Sequence, residues 1–159
     1  MLLIASFASA LALASCSFIP AAQAAPATKP SAFVVSGTNF CLDADVYTDN
    51  NYTLIKPCNA NPTINDSQSW TIKNNVLHSN WNGRCLGGLA PPYIGDYSQI
   101  VDCSSAVPVS LGNNAEIQNP TLGCLLIQGR AHGKPNPYYW AVWAACSEPS
   151  TQWVARPFH

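Results

Sequence analysis

Six cysteines of this chain fall into three pairs: Cys41 with Cys58, Cys85 with Cys103, and Cys124 with Cys146. The members of a pair stand 17, 18 and 22 residues apart, and leucine follows the first member each time. That spacing selects one connectivity, with every bridge inside its own segment. The chain reads as three copies of one unit of about forty residues, each closed by its own disulfide. Each bridge closes a short loop and contributes about 3 kcal/mol in the loop-entropy picture.

The seventh cysteine, Cys16, lies in the opening "MLLIASFASALALASCSFIPAAQA". This stretch carries no charged side chain and ends in a small-x-small cleavage site at Ala22–Ala24, so it reads as a signal peptide over residues 1–24. Its removal leaves an even count of six, which suits an exported, oxidised, extracellular chain. A second reading takes "LASC", Leu13 to Cys16, as a lipoprotein box with a lipid on Cys16. Residues 25–32 read as a short Pro/Ala-rich tail and 33–159 as one domain. No later segment is long and apolar enough to span a membrane.

Within each unit a short apolar strand precedes the second cysteine: "YTLIKPC", "SQIVDC" and "AVWAAC". A polar loop follows, then another strand: "SQSWTI", "NNAEIQ" and "STQWVA". Prolines and glycines interrupt every segment, and no stretch holds a helical period over ten residues. The expectation is an all-β fold of short strands and frequent turns.

The triple unit with its internal cysteine pair, "CLDA" at Cys41, "QSW" at Gln68–Trp70 and "TQW" at Thr151–Trp153 resembles the ricin-type β-trefoil, the carbohydrate-binding module of many lectins. The resemblance covers roughly residues 33–158. It implies a β-trefoil in which the repeated Cys, Leu and Trp positions build a shared core. It also implies one sugar pocket per unit. In each, a carboxylate after Cys-Leu accepts hydrogen bonds from two sugar hydroxyls, an aromatic ring stacks on the sugar, and an Asn or Gln completes the set.

The units keep these pocket residues unequally. The first has Asp43 and Gln68, but Lys56 stands where the family has its ring and Leu54 at the usual polar position; the alternative to a sugar contact is that Asp43 caps a turn and Lys56 pairs with it across the sheet. Tyr47 or Tyr52 is the candidate replacement ring. The second has Gly87 for the acid and Val101 for the ring, and keeps only Gln99. The third has Leu126 for the acid, with aromatics at Tyr138, Tyr139, Trp140 and Trp143. Alternation along a strand turns half of these outward, and exposed aromatic clusters mark binding surfaces; the candidate stacking residues are Tyr139 and Trp140. The expected function is a secreted, monomeric, lectin-like module with degenerate sugar sites. Its partner is a carbohydrate or glycoconjugate. The rival is a trefoil that acts on a secreted or host protein, such as a protease, through the loops Asn59–Ser67 and Gly129–Pro137.

Other chemistries find little footing. Seven Lys and Arg face eight Asp and Glu, so no basic patch exists to hold nucleic acid. Asp43 and Asp45 are the nearest approach to a glycosidase pair, but nothing else supports catalysis, and no enzyme activity is expected. His78, His132 and His159 have no metal-ligand spacing, so neither metal nor cofactor is expected. Asn51-Tyr52-Thr53 and Asn65-Asp66-Ser67 are N-glycosylation sequons, and a glycan at Asn51 would crowd the first pocket.

Overall fold

The computed structural model describes residues 29–44, 51–89, 95–112, 115–131, 138–146 and 151–158. The expected signal peptide, Cys16, Asp45 and Tyr47 lie outside the described residues. Among those described there are twelve strands and one 3-10 turn, Cys103–Ser105. None of the described residues forms a helix long and apolar enough to cross a membrane.

The strands divide four to a unit. The first unit holds β1 (Ser31–Val35), β2 (Phe40–Asp43), β3 (Leu54–Pro57) and β4 (Trp70–Lys73). The second holds β5 (Val76–Ser79), β6 (Cys85–Gly88), β7 (Ser98–Val101) and β8 (Ser110–Leu111). The third holds β9 (Ile117–Asn119), β10 (Gly123–Arg130), β11 (Tyr139–Ala144) and β12 (Trp153–Pro157). The first strand of each unit pairs antiparallel with the last strand of the unit before it, as β4–β5, β8–β9 and β12–β1. The middle strands form the hairpins β2–β3, β6–β7 and β10–β11. This is the β-trefoil plan. All three expected disulfides are present, with Cα–Cα separations of 5.0, 4.9 and 5.0 Å, within the usual range for a bridge.

Equivalent residues fill one core. Phe33, Leu77 and Ile117 come from the first strands, and Leu42, Leu86 and Leu125 follow the cysteines; all are buried. A buried indole needs an acceptor for its N–H. Trp70 Nε1 donates to Leu42 O at 2.9 Å, and Trp153 Nε1 donates to Leu125 O at 3.0 Å. These are the same bond in two units.

The second unit departs from the sequence expectation. Register places Leu111 opposite Ile117 as Ile72 stands opposite Leu77, so Val109 occupies the position of Trp70. "NNAEIQ" is therefore not the closing strand of that unit. Ala115 is in a left-handed turn (φ 58°), and the residues after it begin the third unit. Without a tryptophan there, Leu86 O accepts from Val107 N at 3.3 Å. Ser31 and Ala32, assigned to the tail, pair with Pro157 and Arg156 and are buried.

Candidate functional site

The positions that the resemblance assigns to the three pockets meet different surroundings in each unit. In the first, Asp43 and Lys56 lie on adjacent strands β2 and β3, on one face of the sheet. Asp43 is 2% exposed and Lys56 7%. Lys56 Nζ lies 3.3 Å from Asp43 Oδ1, and Gln68 Nε2 donates to Asp43 Oδ2 at 2.9 Å. Gln68 also donates to Pro57 O and accepts from Asn59 N. The Lys56 ammonium sits 5.2 Å from the centre of the Tyr138 ring. The carboxylate that the resemblance turns toward a sugar is here the centre of a buried, hydrogen-bonded ion pair. Lysine in the ring position is the physical reason: an ammonium buried beside a carboxylate pairs with it.

In the second pocket Val101 occupies the space of the missing acid. A Cβ on Gly87 would meet Val101 Cγ2 at 2.5 Å. In the third, Leu126 and Val142 form an apolar cluster against which Tyr97, Trp140 and Ala144 pack.

The surface feature lies between the pockets. Tyr52, Tyr97 and Trp140 each stand six residues before the second cysteine of their unit, so they are equivalent positions. They meet where the three hairpins converge. Ring centroids are 4.9 Å apart for Tyr52–Tyr97, 5.3 Å for Tyr97–Trp140 and 5.5 Å for Tyr52–Trp140. The backbone beneath follows the same threefold rule. Tyr52 bridges to Gln99, Tyr97 to Val142, and Trp140 pairs with Leu54. Thr53 N donates to Ser98 O, and Ala141 N to Thr53 O. All three rings are partly exposed. Tilted and edge contacts of this kind stabilise by about 0.5–1.5 kcal/mol per pair beyond area burial.

Beside Tyr97 and Trp140 opens a cavity of about 280 Å³, whose other walls are Gln128, Gly129 and Arg130. The register of β10 on β11 shifts here, with Gly129 in the left-handed region (φ 45°). Such a bulge bends the strand and re-aims its neighbours. The site thus offers ring surface together with the amide of Gln128 and the guanidinium of Arg130.

The expected residues therefore separate. Tyr52 and Trp140 meet at this junction. Asp43, Lys56 and Gln68 meet in the buried network. Tyr139 joins neither group: its ring packs edge-on against Phe40 at 5.3 Å, on the core side of β11 with buried Trp143. Sequence reasoning passed over Tyr97, although its distance from Cys103 repeats that of Tyr52 from Cys58. The three ligand-type side chains His78, Cys85 and Cys103 also come together, but both thiols are consumed by their disulfide. Asn65 is exposed, and Asn51 Oδ1 lies 3.5 Å from Arg84 Nη1.

No family model matches the chain, and no curated protein matches it. Among solved structures it is similar to the agglutinin from Abrus precatorius. The TM-score is 0.61 at 23% sequence identity, and the match covers 81% of this chain and 49% of that one. The chain thus spans about half the length of this neighbour. The likeness concerns the fold, which is a ricin-B-like, all-β trefoil.

Proposed function

We propose that this chain is a secreted, non-catalytic, lectin-like module that binds carbohydrate at the junction of its three hairpins. The supporting observation is the Tyr52–Tyr97–Trp140 cluster, partly exposed beside the Gln128–Arg130 cavity. Aromatic faces carry negative π density that attracts the C–H face of a sugar ring, and a few convergent polar groups fix its orientation. Here Gln128 and Arg130 supply donors. Asp43, Lys56 and Gln68 act as a brace behind this surface rather than as the contact itself. One shared site at the junction replaces three separate ones, which accounts for a chain that keeps every cysteine and only one carboxylate. The partner is a glycan or glycoconjugate, bound by a monomer.

The test is an array of immobilised glycans probed with the wild type and with Trp140→Ala. The reading predicts at least one glycan whose binding Trp140→Ala abolishes. A wild type that binds no glycan overturns it, and the search then turns to protein targets.

A further inference from the structure

Of the five tryptophans, Trp70, Trp143 and Trp153 are buried and donate their indole N–H to the carbonyls of Leu42, Gly87 and Leu125. Trp140 belongs to the hairpin junction. Trp81 remains, and it is 47% exposed. We propose that Trp81 and the 59–67 loop form a second sugar-binding site, outside the three repeat pockets, that takes a neutral pyranose. The ligand class rests on the carbohydrate reading above; the site itself stands on separate observations.

Trp81 is held out on a braced turn. Asn80 N donates to Ser69 O at 2.9 Å, Asn80 Nδ2 to Ser69 Oγ at 2.9 Å, and Asn80 Oδ1 accepts from Thr71 at 3.1 Å. On its other side Gly83 N donates to Ser79 O at 3.1 Å, with Gly83 in the left-handed region (φ 69°) that closes the turn. Tryptophan is among the side chains enriched as anchors of binding surfaces. Because the turn is ordered before any ligand arrives, little conformational entropy remains to be lost on binding.

The opposite wall is equally ordered. Asp66 accepts from Asn59 Nδ2 at 2.7 Å on each oxygen and from Gln68 N at 3.0 Å. Asp66 N donates to Thr63 O at 3.1 Å. Asn59 N in turn donates to Gln68 Oε1 at 2.9 Å. A continuous chain of hydrogen bonds thus runs from buried Asp43 through Gln68 and Asn59 to Asp66 at the surface. The glutamine of the one intact Gln-x-Trp motif serves this outer wall.

Between the walls lies a cavity of about 380 Å³ lined by Asn59, Thr63, Asn65, Asp66, Ser67 and Trp81. Its size is at the small end of ligand pockets, roughly 300–1,000 Å³. The composition is an indole, a carboxylate, two amides and two hydroxyls, with no cation. The indole takes the C–H face of a pyranose, and the Asp66 carboxylate accepts from its hydroxyls with charge assistance. The same carboxylate repels sialic and uronic acids, so the preferred ring is neutral. Asn65 is itself a sequon residue on this cavity, so a glycan attached there competes for Trp81.

The test is a titration of the 15N-labelled, unglycosylated full chain, read from the tryptophan indole N–H resonances. The probes are methyl glycosides of galactose, mannose and N-acetylglucosamine, with the methyl glycoside of sialic acid for comparison. We expect a saturable shift of the Trp81 resonance with at least one neutral glycoside. Asp66→Asn weakens it about tenfold, the loss of a charge-assisted contact, and Trp140→Ala leaves it unchanged. In chain glycosylated at Asn65, the free glycoside no longer moves Trp81. A Trp81 resonance unmoved by every neutral probe overturns the proposal, as does tighter binding of the sialic acid glycoside. Movement of Trp140 alone sinks this second site and leaves the junction reading standing; movement of Trp81 alone does the reverse.

Discussion

Replacing Asp43 with alanine tests whether the first pocket is a brace or a binding site. Lys56 Nζ and Asp43 Oδ1 are 3.3 Å apart, which gives an attraction of about 5 kcal/mol at an effective dielectric of about 20. Desolvation of two nearly buried ions offsets most of that, so the pair is worth little against an apolar pair of the same shape. Removing one member is a different matter. Asp43→Ala takes away the counter-charge of an ammonium that is 7% exposed and one acceptor of Gln68 Nε2. The expected cost is about 3–5 kcal/mol. Equilibrium urea unfolding with the disulfides intact reads this as a midpoint about 2 M lower, taking a slope near 2 kcal/mol/M. The double variant Asp43→Leu/Lys56→Met should lose less than Asp43→Ala alone. A single variant within about 1 kcal/mol of wild type, or a double variant worse than either single, would refute the burial argument.

Further expectations concern the repeats. Gly87→Asp, which restores the missing acid of the second unit, should destabilise by about 1–3 kcal/mol through the clash with Val101; adding Val101→Ala should recover part of the loss in the same unfolding assay. Trp153→Phe keeps most of the ring but orphans Leu125 O, and should cost about 1–3 kcal/mol by thermal denaturation. Breaking the Cys85–Cys103 bridge by a paired alanine substitution should cost about 2–5 kcal/mol, and peptide mass mapping of the wild type should find all three bridges within their own units.

The threefold plan was legible because a disulfide staple must recur wherever a unit must close, and Cys-Leu marks each recurrence. Alternation on one strand said that half of the third unit's aromatics turn outward, but not which half: Tyr139 and Trp143 face the core and Trp140 the junction. The closing strand of the second unit was not legible, because Val109 replaces the tryptophan that punctuates the other two, and the later stretch "NNAEIQ" was read in its place. Lys56 in the ring position and its pairing with Asp43 across the sheet could be read from the sequence; that the pair is buried could not, because burial is set by packing from elsewhere in the chain. Tyr97 was not legible because the motif does not name its position: its role comes from three strands meeting at one point. The Trp81 groove joins residues from two loops of different units, which no local pattern encodes.

Tyr97 also supplies the most direct test of the central claim. It comes from the unit whose own pocket is filled by Val101, so a reading based on separate pockets gives it no part in binding. Equilibrium titration of the wild type, Tyr97→Phe and Tyr97→Ala with a glycan whose binding Trp140→Ala abolishes separates the two accounts. If the hairpin junction is the site, Tyr97→Phe binds like wild type and Tyr97→Ala loses affinity by about tenfold, the worth of one stacked ring, while circular dichroism shows both folded. Undiminished binding by a folded Tyr97→Ala would contradict the account and return the site to the pocket of a single unit.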